Sequence, residues 1–514
     1  MTDTPNKGIV VVSGGSAANN LVDVFHSIRE SKNCPLSYII PISDNGGSSS
    51  ELIRIFGGPG IGDVRSRLVR LIPDLPVNPE RMAIKALFNH RLAAEGPAAS
   101  LEWLSIVDGT STLWRSITPA KKELIRSFFN SLNLEILKRA RPPSSTYDFT
   151  SASVGNLFLT GARLFSGSFE SAIYLLGSIC GVQSDIIRVI PAINSNFSHH
   201  ISATLADGTV IVGQNSISHP SEVSGGLLHD HRPDCASLPL ADGDDFEDTD
   251  SSVSDTVSYE EDHLPGSLAT LRNKNILFNK AKNEDLPCRI SRIWYINPYG
   301  EEIRPSANPR VLEALDDAQA IIYSIGSLYT SIIPAIILRG VGKSIVKSPA
   351  RYKILILNGS LDRETGPPTA PFSASDFVEA IANAGEESRG RRPKFSPQHP
   401  TELPSSPETI RPFDPIPYTS YVTHILHLDG PGTPYVDRDR LAEMGIGTLR
   451  LYGRKITVID DDKEIVVGMQ YDPKALVQAL EVVLGKKGDA IVRDVGSGLG
   501  RRNTLEPTKR EKKP

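Results

Sequence analysis

Gly8-Ile-Val-Val-Val-Ser-Gly-Gly-Ser16 and Pro41-Ile-Ser-Asp-Asn-Gly-Gly-Ser-Ser-Ser50 decide the fold of this chain. In each stretch, β-branched residues lead into a glycine-rich turn, and a polar, helix-opening stretch follows. Glycine at such a turn lets backbone N–H groups approach a phosphate, because no Cβ stands in the way. The repeated unit predicts neighbouring strands of a doubly wound, parallel-rich α/β sheet, with both turns at its carboxyl edge. A phosphorylated or nucleotide-type ligand is therefore the first functional hypothesis.

The composition is that of a globular protein with a large core. The chain has 514 residues, of which 39% are apolar, and a formal net charge of −5. No uninterrupted apolar run is long enough to cross a bilayer, and the N-terminus lacks a secretory signal, so we expect a cytoplasmic or nuclear protein without a membrane partner. The four cysteines include no Cys-x-x-Cys pair, which argues against a zinc site and a disulfide scaffold.

Changes in composition divide the chain into six parts. The basic C-terminal part is short and poor in aromatic residues, so we do not predict a nucleic-acid partner. The predicted parts are an N-terminal part of the α/β domain (1–218), an acidic disordered insertion (219–290), a continuation of the α/β domain (291–385), a Pro- and Arg-rich loop (386–417), a C-terminal part of the α/β domain (418–485) and a basic disordered tail (486–514).

Hydrophobic periodicity predicts alternating strands and helices along most of the chain. An Asp207-Gly208 turn between two β-branched runs predicts a hairpin. The predicted strands lie near 10–12, 38–40, 201–205, 210–212, 293–296, 320–323, 353–357, 422–426, 456–459 and 465–467; the predicted helical stretches are 78–140, 153–180, 309–317, 332–338, 373–384 and 472–484.

The first glycine turn contains Gly14, Gly15 and Ser16. It lacks the full Gly-x-Gly-x-x-Gly spacing of a dinucleotide site and the Lys-Ser/Thr pair of a P-loop. A ligand loop and a tight strand-to-helix turn both fit this pattern.

The second glycine turn also follows a strand, and it contains a carboxylate in addition. Asp44 follows the strand and can hold a divalent metal or accept a proton from a substrate hydroxyl. Gly46 and Gly47 come next, and Ser48 and Ser49 can donate to phosphate oxygens. The alternative is that Asp44 or a serine only caps the helix that begins nearby.

Two further segments carry candidate polar groups. Asp63 suits a helix N-cap, and Arg65 and Arg67 in the first turns can hold a phosphate or simply solvate a helix. Asn156, near the start of an apolar helix, can bond a base or sugar, although a capping role fits its position better.

A third strand ends in another glycine-serine turn. Gly326, Ser327 and Thr330 can cradle a second phosphate together with the helix N-terminus. The alternative is a simple turn. The recurrence of a glycine-rich turn at a third strand end favours the ligand site.

Taken in chain order, these motifs resemble the CofD/YvcK family. The matches run from residue 8 to about residue 385, continue weakly near 435–450 and skip the acidic insertion. They are Val-Val-Ser-Gly-Gly-Ser at 11–16, Ser-Asp-Asn-Gly-Gly-Ser-Ser-Ser at 43–50, Gly-Asp-Val-Arg-Ser-Arg-Leu at 62–68, Ser-Val-Gly-Asn-Leu at 153–157, Gly-Ser-Leu-Tyr-Thr-Ser-Ile-Ile-Pro at 326–334 and Phe-Ser-Ala-Ser-Asp at 372–376.

The resemblance implies a Rossmann-like fold and two alternative functions. CofD members are 2-phospho-L-lactate transferases that use Mg²⁺ to move a phospholactyl group from a nucleotide-diphosphate donor to the hydroxyl of a deazaflavin precursor. YvcK members bind a UDP-sugar and regulate carbon metabolism. The family's second turn often has two adjacent acidic residues where this chain has Asp44-Asn45, and one carboxylate fewer weakens magnesium binding.

The resemblance also implies roles for the candidate residues. As a transferase, the chain would use Asp44 for magnesium or the acceptor hydroxyl, and Asp63 and Arg65 to organise the phosphates. Asn156 would contact the base or sugar. A homodimer is a further expectation from the resemblance. The remaining implied contacts are nucleotide or acceptor at Gly14, Gly15 and Ser16, ligand at Asn45, Gly46, Gly47, Ser48 and Ser49, and a second phosphate at Gly326, Ser327 and Thr330.

Overall fold

A computed structural model describes residues 7–43, 46–73, 78–142, 146–219, 268, 285–391, 417–460 and 463–485. Asp44, Asn45 and the predicted basic tail lie outside the described residues. Most of the predicted acidic insertion and most of the Pro- and Arg-rich loop lie outside them as well.

The strands and helices of the described residues are numbered in chain order. The strands are β1 Gly8–Val12, β2 Leu36–Ile40, β3 Ile187–Pro191, β4 His200–Leu205, β5 Val210–Val212, β6 Ile290–Ile296, β7 Glu302–Ile303, β8 Ala318–Tyr323, β9 Tyr352–Ile356, β10 His424–His427, β11 Gly447–Arg450, β12 Gly453–Asp460 and β13 Lys463–Tyr471. The helices are α1 Ser16–Asn19, α2 Val22–Lys32, α3 Ser48–Phe56, α4 Gly62–Arg70, α5 Pro79–Asn89, α6 Gly96–Asp108, α7 Pro119–Arg139, α8 Val154–Ser166, α9 Phe169–Cys180, α10 Gln214–Ser218, α11 Pro309–Asp316, α12 Ile333–Ile336, α13 Val341–Lys347, α14 Ala374–Ser388, α15 Arg438–Glu443 and α16 Pro473–Val483.

Seven parallel strands form the main sheet, in the order β3-β2-β1-β8-β9-β10-β11. The β-branched run of β1 lies at its centre, where Val11 pairs with Tyr38 of β2 on one side and Ile322 of β8 on the other. Val11 is fully buried, as a strand covered on both faces requires. The chain builds outward from β1 to β3 and then from β8 to β11, so the strand order reverses between β1 and β8. The predicted doubly wound α/β sheet is confirmed.

Helices cover both faces of this sheet, and sequence-encoded caps set several of their ends. The side chain of Ser373 accepts from the backbone of Asp376 at the start of α14, and Asp376 bonds back to the backbone of Ser373. The helical stretch predicted over 153–180 consists of two helices, because Gly167 ends α8 in the left-handed region (φ 69°) and Ser168 caps α9. None of the described helices is long and apolar enough to span a membrane.

A second sheet of four antiparallel strands lies in the order β5-β4-β6-β7. The hairpin predicted around Asp207-Gly208 is confirmed as β4 and β5, with Gly208 at a φ of +90°. The strand predicted at 293–296 exists as β6, but it pairs antiparallel with β4 and does not join the main sheet. Hydrophobic periodicity locates such a strand but does not show which strand it pairs with.

The strands predicted at 456–459 and 465–467 form a separate antiparallel hairpin, β12 and β13. The hairpin joins the main domain through Met469, whose backbone N–H donates to the carbonyl of Gly359 at 2.8 Å. The final helix α16 begins at Pro473 after the Asp472 cap and packs on α2, where Ser31 donates to Glu481 at 3.0 Å. The end of the described chain therefore lies beside α2, close to the start of the chain.

The close packing of α13 against α14 can be tested by substitution. A Cβ on Gly342 would overlap the carbonyl oxygen of Gly385, and backbone cannot rotate away as a side chain can. We expect Gly342→Ala to lower the free energy of unfolding by about 1–3 kcal/mol, the usual cost of overpacking. Thermal denaturation measures the change.

The matched control is Gly177→Ala in α9. A Cβ there would meet the Leu68 side chain at 3.8 Å, an ordinary contact. The helix propensity of alanine should then raise stability by up to about 1 kcal/mol. Equal effects of the two substitutions would contradict the close approach of α13 and α14.

Candidate functional site

The first and third glycine turns meet where the strand order reverses. A Cβ on Gly14 would lie 2.9 Å from Cβ and Oγ of Ser331, and 3.0 Å from Oδ2 of Asp63. Gly326, after β8, faces the same serine, since a Cβ there would lie 3.4 Å from Ser331 Cβ. Ser331 belongs to a π-helical stretch, Leu328–Ile332, that follows the third turn. The sheet therefore brings the predicted turns into contact at its carboxyl edge, where doubly wound folds bind ligands.

Asp63 supports the first turn and does not cap its own helix. α4 begins at Gly62 after Ile61, and no side chain caps it. The Asp63 carboxylate accepts a hydrogen bond from the backbone N–H of Gly15. Desolvation raises the pKa of this carboxyl, while the Gly15 N–H and the nearby Arg67 and Arg65 lower it. Asp63 thus holds the first turn in place, and the pKa of its carboxyl is raised.

Arg65 and Asn156 form one hydrogen-bonded unit beside Asp63. Nε of Arg65 donates to Oδ1 of Asn156 at 3.1 Å, and an Arg65 terminal nitrogen donates to Asn89 at 3.4 Å. Burial lowers the pKa of Arg65 to about 10, so it remains charged at neutral pH. Gly155 makes room, because a Cβ there would lie 2.7 Å from Cδ of Arg65. Asn156 is an interior residue of α8, so the predicted capping role is wrong.

Arg67 occupies neither a phosphate site nor the surface. Its side chain is buried, with the guanidinium 4.5 Å from the centre of the Tyr38 ring. One terminal nitrogen donates to Ser13 Oγ at 3.3 Å. Arg67 therefore connects α4 to Ser13 at the end of β1 and to Tyr38 in the middle of β2, inside the fold.

The glycine-dense segment before α4 has a packing explanation. Gly58 adopts a φ of +103°, and a Cβ there would lie 2.5 Å from the guanidinium carbon of Arg163. Arg163 also donates to the carbonyl of Gly57 at 2.9 Å. The glycines at this point admit an arginine of α8.

The described part of the second turn follows β2, the strand next to β1 in the sheet. Gly46 and Gly47 are partly exposed, and Gly47 precedes α3 at a φ of +55°, with no side chain capping the helix. Ser49 is buried, and its Oγ accepts from Nδ2 of Asn156 at 3.5 Å. Ser16 and Ser48 are the first residues of α1 and α3. The predicted roles of Asp44 and Asn45 fall outside the described residues.

The third turn is fixed by an asparagine that sequence reasoning missed. Asn358, after β9, accepts from the N–H of Gly326 at 2.9 Å and donates to the carbonyl of the same residue at 3.0 Å. Gly326 has a φ of +138°, a conformation open mainly to glycine. Gly326 and Ser327 both remain partly exposed.

A buried carboxylate already uses the donors of Thr330. Oε2 of Glu364 accepts from the backbone N–H groups of Tyr329 at 3.0 Å and Thr330 at 3.1 Å. Its Oε1 accepts from the hydroxyls of Thr330 at 2.5 Å and Ser218 at 3.0 Å. The phosphate contact predicted for Thr330 would require those bonds to be exchanged.

Asp362 makes Glu364 part of an acid pair beneath the third turn. Its carboxylate accepts from the side chain of Ser327 and from the backbone N–H of Glu364. Burial and the charge of Asp362 raise the pKa of Glu364 to about 8. The pair therefore retains a proton over part of the neutral range.

Two of the residues that sequence reasoning missed lie shortly after a buried strand. Asn358 and Glu364 belong to a polar run that directly follows the buried strand β9, as the recognised turns follow β1, β2 and β8. Gln214 of α10 accepts from Ser43 Oγ at 2.6 Å and so reaches the second turn from the smaller sheet. A search for polar residues directly after each buried strand would have found Asn358 and Glu364. No local pattern in the sequence marks Gln214.

Together these groups suit a phosphorylated ligand. Gly15, Gly47, Gly326 and Ser327 are partly exposed around one edge, and Arg65 adds a positive charge. No group of three or more potential metal ligands occurs among the described residues. Asp63 supplies one carboxylate here, and Mg²⁺ bound chiefly by substrate phosphates and water needs only one or two. The described residues are thus compatible with a substrate-borne magnesium ion.

The contact of Gly14 with Ser331 can be tested by a double-mutant cycle. We expect Gly14→Ala to reduce stability by about 1–3 kcal/mol, because its Cβ overlaps Ser331. Adding Ser331→Gly should recover part of this loss. Chemical denaturation of both single variants and the double variant gives the coupling. Additive losses would contradict the contact.

The acid pair predicts a pH dependence of stability. Because its pKa is raised on folding, Glu364 binds more protons in the folded than in the unfolded state between pH 4.5 and about 8. The free energy of unfolding contributed by Glu364 therefore falls as pH rises through this window, by at most about 1.4 kcal/mol per pH unit. The stability difference between the wild type and Glu364→Gln, measured by denaturation across the window, should fall accordingly.

Glu80→Gln is the control for this measurement. Bonds from Lys121 and Thr118 lower the pKa of Glu80 to about 2, so its contribution is constant above pH 5. A difference that does not change with pH for Glu364→Gln would contradict the raised pKa.

Comparisons with known proteins relate this chain to one family. The family model described as "2-phospho-L-lactate transferase CofD" matches residues 9–395. A Saccharomyces cerevisiae protein, "Uncharacterized protein YNL011C", is 41% identical over 372 residues, which cover 69% of this chain and 79% of the yeast protein. The gluconeogenesis factor of Bacillus subtilis is 22% identical over 375 residues, 73% of each chain.

A crystal structure supports the fold. Protein BH3568 of Bacillus halodurans superposes with a TM-score of 0.51 at 18% identity, covering 92% of this chain and 99% of that one. The matching family model spans most of the chain, from β1 to beyond α14. The chain therefore belongs to the CofD family.

Proposed function

We propose that this protein binds a nucleotide-type diphosphate ligand between β1 and β8 and transfers a phosphorus-containing group from it to a hydroxyl acceptor. The bond between the two phosphates breaks, the nucleoside monophosphate leaves, and the acceptor hydroxyl gives up its proton. The observation that supports the proposal is the contact of the first and third turns on Ser331, at the reversal of strand order. A crevice at such a reversal is where doubly wound sheets bind nucleotides. The transferase description of the family supplies the reaction class.

The glycine turns would bind the ligand through their backbone. Gly14, Gly15 and Ser16 would lie against the nucleotide or the acceptor. Gly326 and Ser327 would take the second phosphate, with Thr330 joining only if its bonds to Glu364 were exchanged. Gly46, Gly47, Ser48 and Ser49 would donate from the second turn.

The charged groups would neutralise and orient the phosphates. Arg65 would pair with a phosphate oxygen while its Nε stays bonded to Asn156. Nδ2 of Asn156 would then point toward Ser49 and the base or sugar. Asp44 would orient the acceptor hydroxyl or hold Mg²⁺, with Asp63 as a second carboxylate. When bound, Mg²⁺ supplies neutralisation of phosphate charge. Such transfers depend mainly on positioning and charge neutralisation, so no covalent nucleophile is required.

A thermal-shift series followed by a turnover assay tests the transferase. We expect GDP or a related nucleotide to raise the melting temperature in a magnesium-dependent manner. Incubation with a nucleotide-diphosphate-linked donor and a deazaflavin-type hydroxyl acceptor should give a transfer product detectable by mass spectrometry. Asp44→Ala should abolish that product and leave the melting temperature of the free protein unchanged.

Asn45→Ala is the neighbouring control, because it alters the same turn without removing a carboxylate. It should retain a measurable part of the turnover. Full turnover in Asp44→Ala would overturn the role of Asp44.

A second candidate is a binding protein without turnover, which senses a nucleotide sugar. Two observations favour it: Asn45 replaces one carboxylate of the pair often found in the family, and several relatives are named gluconeogenesis factors. This alternative predicts that UDP-sugars raise the melting temperature without magnesium and without product. If saturating UDP-sugars leave the melting temperature unchanged, the sensor hypothesis loses its support.

A further inference from the structure

A cavity of about 540 Å³ lies along the outer edge of β3, the strand at one end of the main sheet. We call it the β3 cavity. Its walls come from β3, α4, α9 and the start of α11. Pockets that hold small ligands usually measure about 300–1,000 Å³, so the size is suitable. None of the described residues that were predicted for the candidate functional site lines this cavity.

The backbone of β3 is poorly suited to receive another strand in this space. The register with β2 directs the amides of residues 187, 189 and 191 to the open edge. The N–H of Ile187 already donates to the carbonyl of Gln183 at 2.8 Å, and Pro191 has no N–H. Within this described strand, Val189 alone keeps an N–H for an incoming chain. Because strand addition relies on a row of main-chain bonds, a small molecule fits the cavity better than a peptide.

The part of the β3 cavity between α4, α9 and β3 is apolar. Leu68 of α4, Ile173 of α9 and Val189 of β3 line it, and all three are buried. Gly177 of α9 lines it without a side chain, and a Cβ built there would meet the Leu68 side chain at 3.8 Å. An apolar group placed here would be removed from water, which is favourable.

Arg188 of β3 supplies a positive charge that the described residues leave unpaired. Its side chain lines the cavity and is partly buried. In the described part of the chain it forms neither an ion pair nor a side-chain hydrogen bond, and Asp185 lines the same cavity without pairing with it. A partly desolvated guanidinium is stabilised by a carboxylate, which it can bind through two parallel N–H groups.

The other arginine of the cavity already has partners. Arg310, near the start of α11, donates to Oε1 of Glu170 at 3.1 Å, and its guanidinium lies 5.1 Å from the centre of the Tyr174 ring. The Tyr174 hydroxyl donates to the same carboxylate oxygen at 2.9 Å. Arg188 is therefore the group that would bind an anion in this cavity.

We propose that the β3 cavity is a second binding site, for a small monocarboxylate with an apolar body. The carboxylate would accept from the guanidinium of Arg188, and the apolar body would lie against Leu68, Ile173 and Val189. Asp185 would repel a second negative charge, so a monocarboxylate fits better than a phosphate ester. The site is separate from the glycine turns and does not depend on the function proposed for them.

Isothermal titration calorimetry of the full chain with decanoate, below its micellar concentration, tests the proposal. We expect saturable binding at one site and about tenfold weaker binding of decanol, which has the same chain length without the charge. Arg188→Gln should weaken decanoate binding about tenfold, to the level of decanol. Arg115→Gln is the matched control, because Arg115 is an exposed arginine outside the cavity. It should bind decanoate as the wild type does.

A second substitution fills the cavity without changing its charge. Gly177→Leu should abolish decanoate binding and leave the circular-dichroism spectrum unchanged, whereas Gly177→Ala, which adds one methyl group, should retain binding. Absence of saturable decanoate binding in the wild type overturns the proposal, and so does binding that neither Arg188→Gln nor Gly177→Leu weakens. Tighter binding of decyl phosphate than of decanoate would overturn the choice of a monocarboxylate.

Discussion

The contact between Gly14 and Ser331 is the constraint on which the rest of the site depends. It requires a residue without a Cβ just after β1 and a helical stretch that begins at Leu328, after the turn 324–327 that follows β8. Asp63 closes the arrangement by accepting the N–H of Gly15, and Arg67 holds α4 in place from the interior. The partly exposed edge is therefore supported by buried ionic groups, which restrict the turns before any ligand arrives.

The same edge is connected to parts of the chain that lie far apart in sequence. Asn358 fixes Gly326, Ser218 of α10 donates to Glu364, and Gln214 reaches Ser43. The smaller antiparallel sheet thus contacts the parallel sheet through its short helix α10, at the turns themselves. The two sheets also share one hydrophobic core, to which Ile201 of β4 and Ile293 of β6 belong.

Sequence reasoning succeeded where a feature was local. Buried strands followed by glycine turns predicted β1, β2 and β8 and their common edge, since periodicity and turn chemistry act over a few residues. It failed where a partner was distant: the pairing of β6, the β12–β13 hairpin and the burial of Arg67 each depend on residues brought together only by folding. The edge strand β3 was missed because Arg188 interrupts its apolar run and Pro191 ends it, and β11 was missed because it is short and polar. The acid pair was missed because the burial of a carboxylate is set by its tertiary neighbours.

The central position of β1 has a consequence for how the protein is made. One side of β1 finds β2 almost at once, but its other partner begins at residue 318. At a translation rate of roughly 5–20 residues per second, the open side of β1 waits on the order of 15–60 s on the ribosome. An unpaired, fully apolar strand edge exposed for that time is a template for association with other chains. β1 can therefore complete its pairing within the chain only once β8 has emerged, and until then its open edge is available to other chains.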